Sequence, residues 1–278
     1  MTNPTTDWHA HYEASAPAWE RWADALAAQQ EKVNAALLDE ADIGTGHAVL
    51  DLASGVGEPA LQAGRRAGPT GRVVATDVSA RMLEALQGRA RGAGLTNVEV
   101  RVTAMERLPF DDGSFDAVTC RYGLMYATDI GAVARECLRV LRPGGRLAAL
   151  VWGAEADNTT LFVAARALQR LFPGRITDDE MTAPLRFAAP GLLAGIFEAA
   201  GAVQVREREL AMSPRIRKGT PFWRPLVEMN MGEIWNTLDT SQRAQAAQAI
   251  EAALEAHVEG DQYVLRTAMR LLTAQRAD

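Results

Sequence analysis

Between residues 47 and 152 the chain switches repeatedly between short runs that are mostly apolar and longer stretches whose apolar groups recur every three or four residues. The runs "HAVLDLA" (47–53), "GRVVATDVS" (71–79), "VEVRVTA" (98–104), one opening near Phe115 and "RLAALVW" (146–152) predict strands. The stretches 58–67, "ARMLEALQGRARGAG" and "GAVARECLRVL" (131–141) predict helices, with Pro59 suited to a first turn and "RPGG" (142–145) as a turn that stops the last one. The reading is β-α-β-α-β-α-β-α-β, with a further turn at Asp112-Gly113. Buried strands joined by short helical crossovers imply a parallel sheet with helices on both faces.

The flanks are less regular. Residues 16–40 read as one or two amphipathic helices, broken at Gly44 and Gly46. After Trp152, residues 154–190 look like helices and loops, 190–202 a helix, 203–210 a strand and 241–258 a helix. Residues 262–276 fit a final strand or a helix equally. The expected organisation is a helical arm or lid over 1–46, then a doubly wound α/β domain over 47–278, with helical cap segments within 154–190 and 212–258.

Composition narrows the function classes. With 48% hydrophobic and 23% charged residues among 278, the chain has ample material for a core. A net charge of −6 argues against general nucleic-acid affinity. Two cysteines, Cys120 and Cys137, make neither a ligand set nor a disulfide framework, so a reducing cytoplasm is expected and no metal. The polar first twenty residues do not read as a signal peptide, and no apolar run approaches membrane-spanning length.

The chemistry concentrates at "VLDLASGVGEPAL" (49–61). Gly55 to Ala60 satisfies the loose G-x-G-x-x-A dinucleotide pattern, and Asp77 stands where an acid accepts ribose hydroxyls. No lysine follows the glycines, which excludes a P-loop. Asp51 and Glu58 flank the turn, and two carboxylates there repel a pyrophosphate but welcome a cationic head on a neutral ribose. A nicotinamide-dependent oxidoreductase is therefore the weaker reading, and a non-catalytic cofactor-binding regulator a third.

In order and spacing, "VLDLASGVGEPAL", "VVATDVSARML", "LPFDDGSFDAVTCRYGLMY" and "ECLRVLRPGGRLAALVW" resemble the class I S-adenosylmethionine-dependent methyltransferases, in the subgroup of ubiquinone/menaquinone and other small-molecule enzymes. The resemblance covers residues 47–152 and implies a Rossmann-like seven-stranded sheet and S-adenosyl-L-methionine as cofactor. By it, Asp51, Ser54, Gly55 and Gly57 cradle the methionine part, Asp77 takes the ribose hydroxyls and Met82 packs on the adenine. Ala104, Met105 and Glu106 flank the adenine edge, and the chain around Arg121 faces the amino-acid end. "TAME" (103–106) lacks the acid the family commonly shows two positions before the alanine, so Thr103 is assigned no side-chain role.

In this subgroup the N-terminal segment often folds over the cofactor, which makes His9 or His11 of "DWHAHYEASAPAW" the candidate base and Tyr12 a candidate contact. Tyr122 and Tyr126 follow the fourth strand and Trp152 ends the fifth, at the carboxyl edge where such sheets bind ligands. Those three and Trp223, set among arginines in "MSPRIRKGTPFWRP", are the candidate acceptor contacts, with Tyr126 also a catalytic candidate. His47 and His257 read as structural or solvated and Cys120 as core. The partners implied are a small-molecule methyl acceptor and, at most, a second copy of the chain.

Overall fold

The computed structural model describes residues 7–278, apart from the side chain of Asp179. One helix, α1 (Trp8–Glu40), comes first among the described residues and is capped by the Asp7 carboxylate, which accepts from the Ala10 N–H. Then follow β1 (Ala48–Leu52), α2 (Ala60–Ala67), β2 (Arg72–Asp77), α3 (Ala80–Gly92), β3 (Val98–Val102), β4 (Phe115–Arg121), α4 (Ile130–Val140) and β5 (Leu141–Trp152). The remainder comprises α5 (Thr159–Leu171), α6 (Asp178–Thr182), α7 (Leu192–Ala199), β6 (Val203–Met212), β7 (Arg215–Arg217), α8 (Trp223–Asn230), α9 (Gly232–Thr237), α10 (Thr240–Leu254), β8 (Val258–Glu259), β9 (Gln262–Val264) and β10 (Thr267–Gln275).

Seven strands form the main sheet in the order β3-β2-β1-β4-β5-β10-β6. The first five pair in parallel, and β10 runs antiparallel to both β5 and β6. Alternate strand residues feed opposite faces, as a pleated strand requires. On one face Leu50, Leu52, Phe115 and Val118 pack with α4 and α7 residues such as Val133 and Phe197. On the other, Val49, Val73 and Leu150 meet Leu37, Leu61 and Leu86 from the flanking helices.

Three expectations change. No helix joins β3 to β4, because residues 103–114 carry Pro109 and the Asp112-Gly113 turn in place of an apolar period. "RPGG" lies within β5 as a bulge: pairing jumps from Phe115↔Leu141 to Ala117↔Arg146, and Gly144 takes φ +74°. Residues 262–276 hold two strands, β9 and β10, and no helix.

The cap draws on both expected segments but is not purely helical. Its helices α5, α6, α8, α9 and α10 share a core that includes Phe162, Leu168, Trp235, Ile250 and Leu254. A small sheet, β7-β9-β8, closes it. The basic loop is spent there: Arg215 pairs with Glu259 and Lys218 with Glu255. Trp223 is buried at 4% exposure, edge-on to Trp235 at 6.0 Å, and does not line the site cavity. It is a packing residue, which corrects its expected role as an acceptor contact. Trp223→Phe is expected to destabilise the protein by about 1–3 kcal/mol in thermal denaturation while leaving S-adenosylhomocysteine affinity unchanged.

Helix α1 bridges the two parts. Its Glu13 accepts from Ser79 Oγ at the start of α3 (2.6 Å), and its Asp24 pairs with Arg89 of that helix. From the cap, Glu228 accepts from Trp22 Nε1 (2.9 Å) and Arg21 (3.0 Å).

Candidate cofactor and acceptor site

The carboxyl ends of β1, β2 and β4 meet under α1 and the cap, enclosing a cavity of about 980 Å³. The turn after β1 needs left-handed backbone at Ala53, Gly55 and Gly57. Asp77, at the end of β2, holds the turn in place: its Oδ2 accepts from Gly55 N–H and its Oδ1 from Ser79 N–H, both at 2.9 Å. A Cβ added at Gly55 would meet nothing within 4 Å, so that position opens onto the cavity. One at Gly57 would come within 3.0–3.1 Å of Leu61 and Arg89, so a side chain there has no room, and Gly57 does not line the cavity.

Beneath the turn lies Asp51, fully buried. Its Oδ1 accepts from Thr119 Oγ1 at 2.6 Å, and its Oδ2 has no partner. Burial pushes this carboxyl up to about 6 against the pull of the Thr119 and Ser54 hydrogen bonds and nearby Arg121. Arg121 donates to Asn34 Oδ1 of α1 (2.9 Å), but its buried Nε–H is also unpartnered. An orphaned acceptor and an orphaned donor at one end of a cavity are what an α-amino-acid zwitterion would complete. Asp51 itself lies below the surface of the cavity, and its single unpartnered oxygen is buried with it.

Met82, Ala104, Met105 and Glu106 also line the cavity, as does Ser54, whose hydroxyl donates to Asp51 C=O at 2.9 Å. Met82 packs in a small cluster with Tyr12 of α1 and with Trp19, which the sequence analysis did not name. Glu106 is turned aside to accept from Thr128 N–H at 2.8 Å.

Between these groups and the cap stands an aromatic collar: Tyr126 lies 4.6 Å from Trp8 and 5.3 Å from Tyr12, centroid to centroid. Burial holds the Tyr126 hydroxyl up at about 12, so it stays protonated and can donate but not serve as a base. Tyr122 adopts φ +58° and stacks flat on Trp152 at 4.0 Å, with its hydroxyl 3.1 Å from Met269 Sδ. Both rings line the cavity, but this phenol is occupied.

The two N-terminal histidines separate in role. His9 is exposed at the cavity rim, whereas His11 is buried, with its Nδ1 3.5 Å from Glu233 of α9. Burial lowers the His11 pKa, partly opposed by Glu233 and Glu180. Sequence reasoning missed Glu233 and Glu180 because both come from the cap, some 170 or more positions away, with no local motif. Met181, Ile176, Phe222 and Met229 of the cap complete an apolar chamber.

Solved structures share this architecture. The YcgJ protein from Bacillus subtilis superposes with a TM-score of 0.58 at 18% identity, covering 89% of this chain and 99% of that one. A geranyl diphosphate C-methyltransferase from Streptomyces coelicolor, solved with geranyl diphosphate and S-adenosyl-L-homocysteine, gives 0.54 at 20% identity over 89% and 79%. At such identities the likeness is one of fold, and the fold is that of the Rossmann-like methyltransferases. The model of the ubiE/COQ5 methyltransferase family matches residues 19–172, more than half of the chain, and the chain belongs to that family.

A ubiquinone/menaquinone biosynthesis C-methyltransferase of Hahella chejuensis is 40% identical over 114 residues, 41% of this chain and 46% of the relative. A demethylmenaquinone methyltransferase of Lactococcus lactis is 35% identical over 128 residues, 46% and 49%. The chain thus spans about half the length of the curated relatives it matches. Family membership decides the cofactor for S-adenosylmethionine over nicotinamide.

Proposed function

We propose that the protein transfers the methyl group of S-adenosylmethionine to a bulky, largely apolar small molecule bearing an acidic O–H or C–H. The observation that carries this is the single cavity running from the glycine turn to the apolar cap chamber. At about 980 Å³ it stands at the upper end of ordinary ligand sites, room for two ligands side by side. The relatives' names point to quinone-like acceptors, and the chamber's apolar walls suit such rings. The family match ends at residue 172, however, and most of the chamber lies beyond it, so acceptor choice belongs to this chain's own cap.

Bound S-adenosylmethionine supplies an electrophilic methyl group on a sulfonium. Asp51 Oδ2 would receive its ammonium, Arg121 its carboxylate and the Asp77 carboxylate its ribose hydroxyls, with Met82, Ala104, Met105 and Tyr12 to hold its base. Tyr126 and Trp8 stand at the neck between the two ligands and keep water from the transfer line, where alignment and exclusion supply most of the rate. His11 takes the acceptor proton.

Asp77→Ala is expected to weaken S-adenosylhomocysteine by about 1–3 kcal/mol, read by calorimetric titration, since the lost carboxylate also frees the Gly55 and Ser79 N–H groups. The function itself is tested with methyl-labelled S-adenosylmethionine and a metabolite extract, followed by mass spectrometry. A labelled small molecule supports the proposal; no label, with S-adenosylhomocysteine bound tightly, would leave a binding protein in its place.

A further inference from the structure

Strand β3 is the outer edge of the main sheet, and among the described residues no strand covers its free side. Open edges of this kind are usually blunted by proline, a bulge or charged side chains, lysine above all. "VEVRV" (98–102) has no proline, lysine or bulge, its two charges are of opposite sign, and Val102 is 56% exposed, the highest of the exposed large hydrophobics. We propose that β3 pairs antiparallel with β3 of a second copy about a two-fold axis through Val100, joining two seven-stranded sheets into one.

Three independent features select this register. Asn97 C=O accepts from Val73 N–H and Thr103 N–H donates to Asp77 C=O, so odd-numbered residues of β3 direct their backbone groups toward β2. The even-numbered residues, Val98, Val100 and Val102, therefore direct theirs outward. A two-fold axis normal to the sheet leaves each face on its own side, so it can only pair residues of equal parity. Centring on Val100 satisfies both: Val100 faces its own copy, Val98 faces the partner's Val102, and all outward donors and acceptors are met.

Charge makes the choice unique. With Val100 at the centre, Glu99 stands opposite the partner's Arg101 and Arg101 opposite the partner's Glu99, in the closely spaced pairs that carry no backbone bonds. A slip by one residue about the axis puts Glu99 against the partner's Glu99 or Arg101 against the partner's Arg101. Among the described residues neither side chain is spent in an ion pair, although Arg101 lies 5.9 Å from the Phe110 ring. The opposite edge, β6, fails the same test. Centred on Glu207 it sets Arg206 against the partner's Arg208, and centred on Arg208 it sets Glu207 against the partner's Glu209. The sequence "VREREL" there is that of a guarded edge.

The experiment is sedimentation velocity of the full chain over a range of micromolar concentrations, with Glu99→Arg, Arg101→Glu and the double exchange. Wild-type protein is expected to show a concentration-dependent dimer. Each single reversal puts like charges at both symmetry-related pairs and is expected to weaken association at least tenfold. The double exchange restores opposition and is expected to restore the dimer. All these side chains are exposed, so folding is undisturbed, and circular dichroism confirms it. A wild-type chain that stays monomeric would overturn the proposal. So would a dimer indifferent to the single reversals, since it would use another surface. Methyl transfer and cofactor affinity are read in parallel; they stay unchanged in the variants whichever way association turns out, because neither Glu99 nor Arg101 lines the cavity.

Discussion

His11→Ala is expected to lower kcat by about 10²–10⁴-fold while leaving S-adenosylhomocysteine affinity within a factor of two. The size is that of a positioned general base, and the selectivity follows from place: His11 stands on the chamber side, against Glu233 and Glu180 of the cap, and not at the glycine turn. For an O–H or C–H acid, His11 would take the proton the acceptor gives up, while bound S-adenosylmethionine would supply the methyl group and keep the S–C electron pair on its sulfur.

The pH profile separates this role from mere packing. Burial keeps the imidazole below its ordinary 6.5, and Glu233 and Glu180 hold it up from there. Neutral His11 is therefore the dominant form at pH 7, and kcat/KM is expected to fall only as pH drops below the mid-sixes. Glu233→Gln removes one supporting charge, so the acid limb should move to lower pH, with rate retained near neutrality. The rings against His11, Trp8 and Tyr12, carry no charge at those pH values. An unchanged acid limb in both variants would remove His11 from the chemistry.

Asp51→Asn is expected to do two opposite things: weaken S-adenosylhomocysteine by about 3–5 kcal/mol and raise the melting temperature of the unliganded protein. The carboxylate is buried with one oxygen unpartnered, so its ionised form costs stability in the empty site. Its pKa is raised in the folded protein to about 6 from 3.8. Below the unfolded value this group's contribution is fully present, and it is lost as pH rises through 6. Unliganded wild type should accordingly gain stability from this group between pH 7 and pH 5, and the asparagine variant should lose that gain. A ligand ammonium favours the ionised form and reverses the trend, so affinity should climb as pH rises through 6. Differential scanning fluorimetry with and without S-adenosylhomocysteine reads both. A variant that melts lower when empty would show that Asp51 is held by partners other than the ligand.

The opposing signs express a general trade: a site prepared to receive charge is strained until that charge arrives. The same logic explains why Asp51 was readable in sequence. A carboxylate ending an apolar strand has no local reason to be there, and its neighbour Asp77 recurs at the ribose distance. Trp223 reads like a site residue for weaker reasons. A tryptophan among arginines suggests an anion site until Glu255, Glu259 and Glu228 are found beside those cations.

The sequence by itself determined the sheet core, the strand ends that bear Asp51 and Asp77, and the glycine turn between them. Each is written in local terms: period two against period three to four, left-handed backbone at glycine, a charge where burial forbids one. Tertiary structure alone decided that residues 262–276 add two strands and that His11 meets Glu233. Those pairings join positions far apart in the chain, and no short-range pattern can encode them. They depend on where packing of the cap core against the sheet brings α6, α8 and α9, which is settled by the whole buried surface at once.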